Sequence, residues 1–168
     1  MAPSGYSEGW ATYVENYSYR YLVEDEQLAQ LYRINSLYSL NASCQMDLGV
    51  NYYGWDQEEL ADALLEELGI TLGDEELEEF YQLLLASPGE YFKYYYTARQ
   101  IEKAYEEASE ELGSQFDDKA FHKAVLDAVP TQEGIEQAVD AYIEKTKNGE
   151  KTKDGEKTSA LPQWQYAA

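Results

Sequence analysis

Apolar positions along this chain recur three and four residues apart, the spacing of one helix face, and no stretch alternates as a half-buried strand would. Six or seven helices follow. The first opens near Ser7, with Trp10, Tyr13, Val14, Tyr17 and Tyr21 as its apolar stripe. The second opens at Asp25 and runs to Gly49. It has no charged residue between Arg33 and Asp47, which predicts burial on most sides. The third begins at Asp56, whose side chain and that of Glu59 can cap each other's backbone, worth about 1 kcal/mol. Its stripe is Leu60, Leu64 and Leu68, and Gly69 stops it. The fourth spans Asp74 to about Ala86, with Leu77, Phe80, Tyr81 and Leu84 inward. In "SPGE" the spacing predicts Ser87 as N-cap, Pro88 at the first helical position and Glu90 closing a second capping box. That fifth helix runs to Gly113 with Tyr91, Tyr94, Tyr95, Ala98, Ile101, Tyr105, Ala108 and Leu112 on one face. A sixth covers Asp118 to Val129 before Pro130, and a seventh Thr131 to Lys147.

The pattern predicts an all-α array over residues 1–147. From residue 148 apolar positions vanish, "NGEKTK" is nearly repeated as "DGEKTS", and a flexible polar tail is expected to residue 168. Trp164 in that stretch carries no assignable role. The 168 residues suit one domain. The formal net charge of −21 disfavours nucleic acid and anionic membrane as partners, because both repel it. No run approaches a membrane span. The first ten residues lack the basic and apolar regions of a signal peptide, so the chain as written is expected in the cytoplasm.

Chemistry-bearing residues are few. Cys44 is the only cysteine and reads as a small core residue. His122 is the only histidine, so a zinc site built from this chain would be poor in histidine, and neither an H-E-x-x-H motif nor a Ser-His-Asp arrangement has obvious parts. In the first helix, Glu8 and Glu15 are seven positions apart and fall within about 20° of each other. Thr12 lies between them, and Trp10 points about 200° away from Glu8. Periodicity alone reads this as a solvated acidic face opposite a core-facing aromatic one.

The local sequence says more. "SEGWATYVE" resembles the S-E-G-W-A-x-Y-x-E signature of the bacterial family known as domain of unknown function 885. "MDLGVNYYGWDQEELADAL" is similar to its D-x-G-V-[H/N]-Y-x-G-W segment, and the stretch from "SPGEYFKYYY" to "LGSQFDDKAFHKAVL" to its P-G and F-D-x-x-x-F-H segments. The resemblance covers about Gly5 to Leu126. It implies a zincin-like metallopeptidase that hydrolyses a peptide or amide bond, with zinc as cofactor and a peptide as substrate. It makes Glu8 the third zinc ligand and Glu15 a carboxylate supporting it. It also implies that Met1 lies inside a larger catalytic domain, because the family's H-E-x-x-x-G-H helix should precede E-G-W-A and only seven residues precede Glu8. The two other ligands and the general base would then come from a missing N-terminal half, in the same or a separate chain. This chain alone would be inactive, with exposed apolar surface and a tendency to self-associate.

Other positions carry two readings each. Asp47, at the end of the uncharged run, needs a partner such as Arg33, Asn51 or a helix end, and otherwise supports the active site. Asn51 stands where many relatives have His; an amide there only hydrogen-bonds. Tyr94 matches the family's Tyr after P-G and would stabilise an oxyanion, or is one more core tyrosine, with Tyr95 the alternative in register. Arg99 would bind a peptide carboxylate, or pair with Glu102 one turn on. His122 sits at the F-H position, on a different helix from Glu8, where packing or hydrogen bonding serves equally. The rival from another class is a non-enzymatic acidic helical module that binds a cationic partner or self-assembles.

Overall fold

The computed structural model describes residues 4–149. Among them are seven α-helices and no strand: α1 (Ser4–Leu22), α2 (Glu26–Leu48), α3 (Gln57–Leu68), α4 (Asp74–Ala86), α5 (Phe92–Leu112), α6 (Asp118–Asp127) and α7 (Gln132–Lys147). A π-helical turn, Gly49–Tyr53, extends α2, and a 3₁₀ turn, Gly113–Gln115, follows α5. The stretch expected as a polar tail lies, beyond Gly149, outside the described residues.

Helix starts follow capping chemistry. Asp25 accepts from the Leu28 N–H at 3.0 Å, Asp117 from Ala120 at 2.7 Å and Thr131 from Gly134 at 3.1 Å. Asp56 and Glu59 cap each other at 3.0 Å in both directions. Gly69, in the left-handed region at φ 66°, ends α3.

The apolar faces close two cores. One joins α1, α5, α6 and α7 around Tyr13, Ile101, Phe121, Val125 and Ile135. The other joins the end of α2, the π turn, α3 and α4 around Met46, Val50, Leu60, Leu64 and Leu84. Helix α5 packs on α1, α2 and α7. Its tightest neighbour is α1: a Cβ on Gly9 would stand 2.4 Å from Thr97 Cβ, so the two backbones approach as only glycine permits.

Four expectations need correction. Helix α1 starts at Ser4, and its buried residues are Gly9, Thr12, Tyr13 and Asn16, while Val14 and Tyr21 are exposed. Trp10, Tyr13 and Tyr17 of the expected stripe do pack on the core, and the buried face widens from them toward Gly9, Thr12 and Asn16, the residues seated on α5. The uncharged run of α2 is buried only in its second half: Ala42, Cys44 and Met46 are buried, but Ile34 and Tyr38 are exposed, as are Leu28, Leu31 and Tyr32 before the run, since the described elements cover only one side of the helix there. Gly49 caps α2, which ends at Leu48, but it is right-handed and not the left-handed stop expected of a glycine there, and the chain runs on through the π turn to Gly54 at φ 78°. Gly49 is small because the Trp55 ring lies on it, within 1.9 Å of where a Cβ would be. Ser87 does not cap α5. Residues 87–91 form a separate turn, with Gly89 at φ 76°, and α5 begins at Phe92.

A candidate site at the N-terminal ends of α1 and α5

Helices α1 and α5 run in the same direction. Gly5 faces Lys93 and Gly9 faces Thr97, a constant offset along the pair. This register brings Glu8, half-buried on α1, within electrostatic reach of Lys93 at the start of α5. The Lys93 ammonium is held above its ordinary pKa, chiefly by its hydrogen bond to Glu90, with Glu8 and Tyr94 adding to the effect. Glu8, Glu90, Lys93 and Tyr94 therefore gather at one end of the helix pair.

Tyr94 and Glu90 also line a cavity of about 350 Å³. Its other walls are Leu40, Leu83, Leu84, Ser87 and Tyr91, so its character is mainly apolar. The Ser87–Tyr91 turn that shapes it is tied down from α2. Asp47 is 2% exposed, and its two carboxylate oxygens accept from the Gly89 N–H at 2.8 and 3.0 Å. Asn51 Nδ2 donates to Asp47 Oδ1 at 3.0 Å and to the Leu84 carbonyl at 2.9 Å, which uses both of its N–H groups. Of the partners weighed for Asp47, Asn51 is found and Arg33 is not; Arg33 goes to Glu102. The Gly89 N–H was not foreseen.

The remaining sequence candidates lie apart from this end. Glu15 is exposed and accepts from the Tyr19 hydroxyl at 2.9 Å, one turn on and not toward Glu8. Tyr95 accepts from Asn41 Nδ2 at 3.1 Å. Arg99 pairs with Glu102, three residues along α5. Glu102 is buried and also takes Arg33 Nε at 2.6 Å, so one carboxylate clasps two guanidiniums. His122 Nε2 stands 2.8 Å from the Tyr13 hydroxyl, and its ring is enclosed by Trp10, Tyr17, Tyr105 and Phe121. Burial lowers its pKa, with Asp118 opposing and Arg20 adding. The only described histidine thus braces α1 against α6, as does the Tyr6 hydroxyl on the Val125 carbonyl at 2.7 Å. Cys44 is buried; burial, aided by Asp47, pushes its thiol up to about 12.

Sequence reasoning missed Gly9, Asn16 and the pairing of Arg33 with Glu102. A Gly5-x-x-x-Gly9 spacing was the available signal for the first, since small residues one turn apart let helices close up. The other two are set by tertiary neighbours.

Among the described residues no group of three or more His, Cys, Asp or Glu side chains is placed to hold a metal ion. The residues present therefore do not by themselves fit a zinc centre. Also among them, no helix is long and apolar enough to cross a membrane. Residues 1–130 match a family described as bacterial protein of unknown function (DUF885). No curated protein and no solved structure matches the chain.

Proposed function

This chain belongs to the DUF885 family, and we propose that it takes part in zinc-dependent hydrolysis of peptide or amide bonds, contributing Glu8 as one of several metal ligands. The other ligands and the general base come, in this reading, from an H-E-x-x-x-G-H segment outside the described residues, in the same or another chain. What supports it is the E-G-W-A run itself. Its Glu8 sits on a helix seated backbone to backbone on α5, beside Lys93 and near Tyr94. A ligand needs that rigidity to keep its orientation. The chain's own residues then do limited work. Glu8 offers a carboxylate oxygen, and Lys93 lies within electrostatic reach of it. The Tyr94 hydroxyl donates to a substrate oxygen. The cavity beside it seats an apolar side chain of the peptide, and Asp47 with Asn51 holds the turn that shapes that cavity.

The test supplies the H-E-x-x-x-G-H segment of a family member, fused or co-expressed, and measures zinc affinity by competition with a chelator. Glu8→Gln should weaken zinc binding at least about tenfold and abolish hydrolysis, because an amide oxygen is a poor substitute for a carboxylate ligand. Unchanged zinc affinity in Glu8→Gln refutes the assignment.

One observation favours a second reading. The exposed stripe Leu31, Tyr32, Ile34 and Tyr38 on α2 is an uncharged strip on a chain of net charge −21. As a non-enzymatic module it would take a cationic amphipathic partner there or self-associate. Metal-independent binding of a basic helical peptide, weakened by salt, distinguishes it from the peptidase.

A further inference from the structure

Leu28, Leu31, Ile34 and Tyr38 of α2 are all exposed, and their spacing of three and four residues puts them on one face. That face carries no charge. Arg33, the one charged residue between Leu28 and Tyr38, turns away to Glu102 and Glu106 on α5. The far end of the strip is fixed against α3, where the Tyr38 hydroxyl donates to the Glu67 carbonyl. A row of large apolar side chains left open on a well-held helix marks a place where something docks.

Charge and position narrow the occupant. A second copy brings the same net charge of −21 and is repelled. Residues 150–168 bring none: Lys151, Lys153 and Lys157 balance Glu150, Asp154 and Glu156. From Thr158 to Ala168 there is no charged side chain, and Leu161, Pro162, Trp164 and Tyr166 fall within that run. This segment also starts in the right place. Helix α7 ends where Lys147 pairs with Glu111 of α5, and Arg33 of α2 pairs with Glu106 of α5 at 3.4 Å. Glu106 and Glu111 are about 8 Å apart along the helix. The chain therefore leaves α7 near the level of the strip. From Gly149 to Leu161 it has about twelve residues, which reach about 40 Å extended and about 20 Å on average. A tether of that length gives an effective concentration in the millimolar range, so a weak contact is populated.

We propose that residues 161–166 dock on this strip, with the Trp164 ring across Leu31 and Ile34, and cover it against partners outside the chain. An uncharged aromatic segment suits a face that offers a charge no partner. The docked segment shields the apolar strip, so the chain stays monomeric, and a cationic partner must displace it to bind there. The strip uses none of the residues assigned to hydrolysis, so either reading can fail without the other.

The experiment uses the 168-residue chain, isotope-labelled, with a nitroxide on Ala168→Cys; Cys44 is buried and stays unlabelled. The amide signals of Leu31, Ile34 and Tyr38 should lose more than half of their intensity, and more than any signal on α6. Trp164→Gln and, separately, Ile34→Asp should each restore at least half of that loss. Ile34 is 59% exposed, so Ile34→Asp should melt with the parent. Mixing nitroxide-bearing chains that lack isotope with isotope-labelled chains that lack nitroxide should leave the three signals intact. No loss at the strip, or a loss that survives both variants, overturns the proposal. An equal loss in the mixed sample overturns it in favour of a second copy. Equal affinity of an amphipathic Lys/Leu helical peptide for the strip in the parent and in Trp164→Gln overturns it in favour of an open face for a cationic partner.

Discussion

Replacing Gly9 by Ala tests the contact on which the candidate site depends. In an exposed helix this change is favourable by about 1 kcal/mol, since Gly is the poorer helix former. Here the new methyl would meet Thr97 Cβ at 2.4 Å, Thr97 Cγ2 at 3.0 Å and the Ala98 nitrogen at 3.0 Å. A rotamer change at Thr97 relieves only the Cγ2 contact, because Cβ is fixed to the backbone. Helix α1 must therefore move off α5 by roughly 1 Å or more, along the most extensive helix contact of the fold. Overpacking of this kind costs about 1–3 kcal/mol, and a backbone-limited clash belongs near the top of that range. After the propensity gain the net loss is about 2 kcal/mol, which at this chain length lowers the melting temperature by roughly 4–8 °C. Circular dichroism melts of the parent, Gly9→Ala and Gly5→Ala provide the comparison. A Cβ on Gly5 meets only Lys93 Cα, at 3.9 Å, an ordinary contact, so that variant should melt at or above the parent. If Gly9→Ala melted as high as Gly5→Ala with full helicity, the close seating of α1 on α5 would be wrong, and the placement of Glu8 with it.

Two further outcomes follow from named contacts. Asp47→Ala removes the acceptor of the Gly89 N–H and of Asn51, and each orphaned donor is worth about 1–3 kcal/mol. Urea unfolding should show a loss of about 2 kcal/mol or more and the Gly89 amide should exchange faster; unchanged exchange would mean Asp47 does not hold the turn. His122 has a lowered pKa in the folded chain, so the unfolded chain binds its proton more readily. The stability it contributes is present above the ordinary histidine value of about 6.5 and is lost as pH falls below it toward the folded value. Stability measured between pH 7.5 and about 5 should fall faster in the parent than in His122→Gln, and parallel pH curves would refute the assignment.

Much of the array was legible because its rules are local. Asp56 and Glu59 cap each other three residues apart; Leu60 and Leu64 share a face; Gly69 takes the left-handed stop. Arg99 with Glu102 is likewise a one-turn pair. Where the reading failed, a partner distant in sequence had overridden the local signal. Ser87, Pro88 and Glu90 spell a helix start, yet Gly89 turns to give its N–H to Asp47, 42 residues away. Gly49 spells a helix stop, yet its missing side chain makes room for Trp55. The uncharged run in α2 signalled burial, but periodicity states only that a face is apolar, not what covers it. For the candidate site, the signature placed Glu8 on α1 but was silent on the Lys93 that faces it, because helix register is a tertiary property.

That register carries the functional reading of α1. Glycine lets the helix approach α5 closely at Gly9, and there Glu8 comes beside Lys93. Further along, the chain no longer uses glycine at the interface but Thr12, Tyr13 and Asn16, and a cavity opens between α1, α2 and α5. Tyr13 meanwhile bonds His122 and Tyr6 bonds α6, so α1 is clamped from two sides. A helix fixed in this way cannot adjust one end without disturbing the other. Movement of α1 off α5 at Gly9 would therefore be felt at Tyr13 and Asn16, one and two turns further along the same buried face.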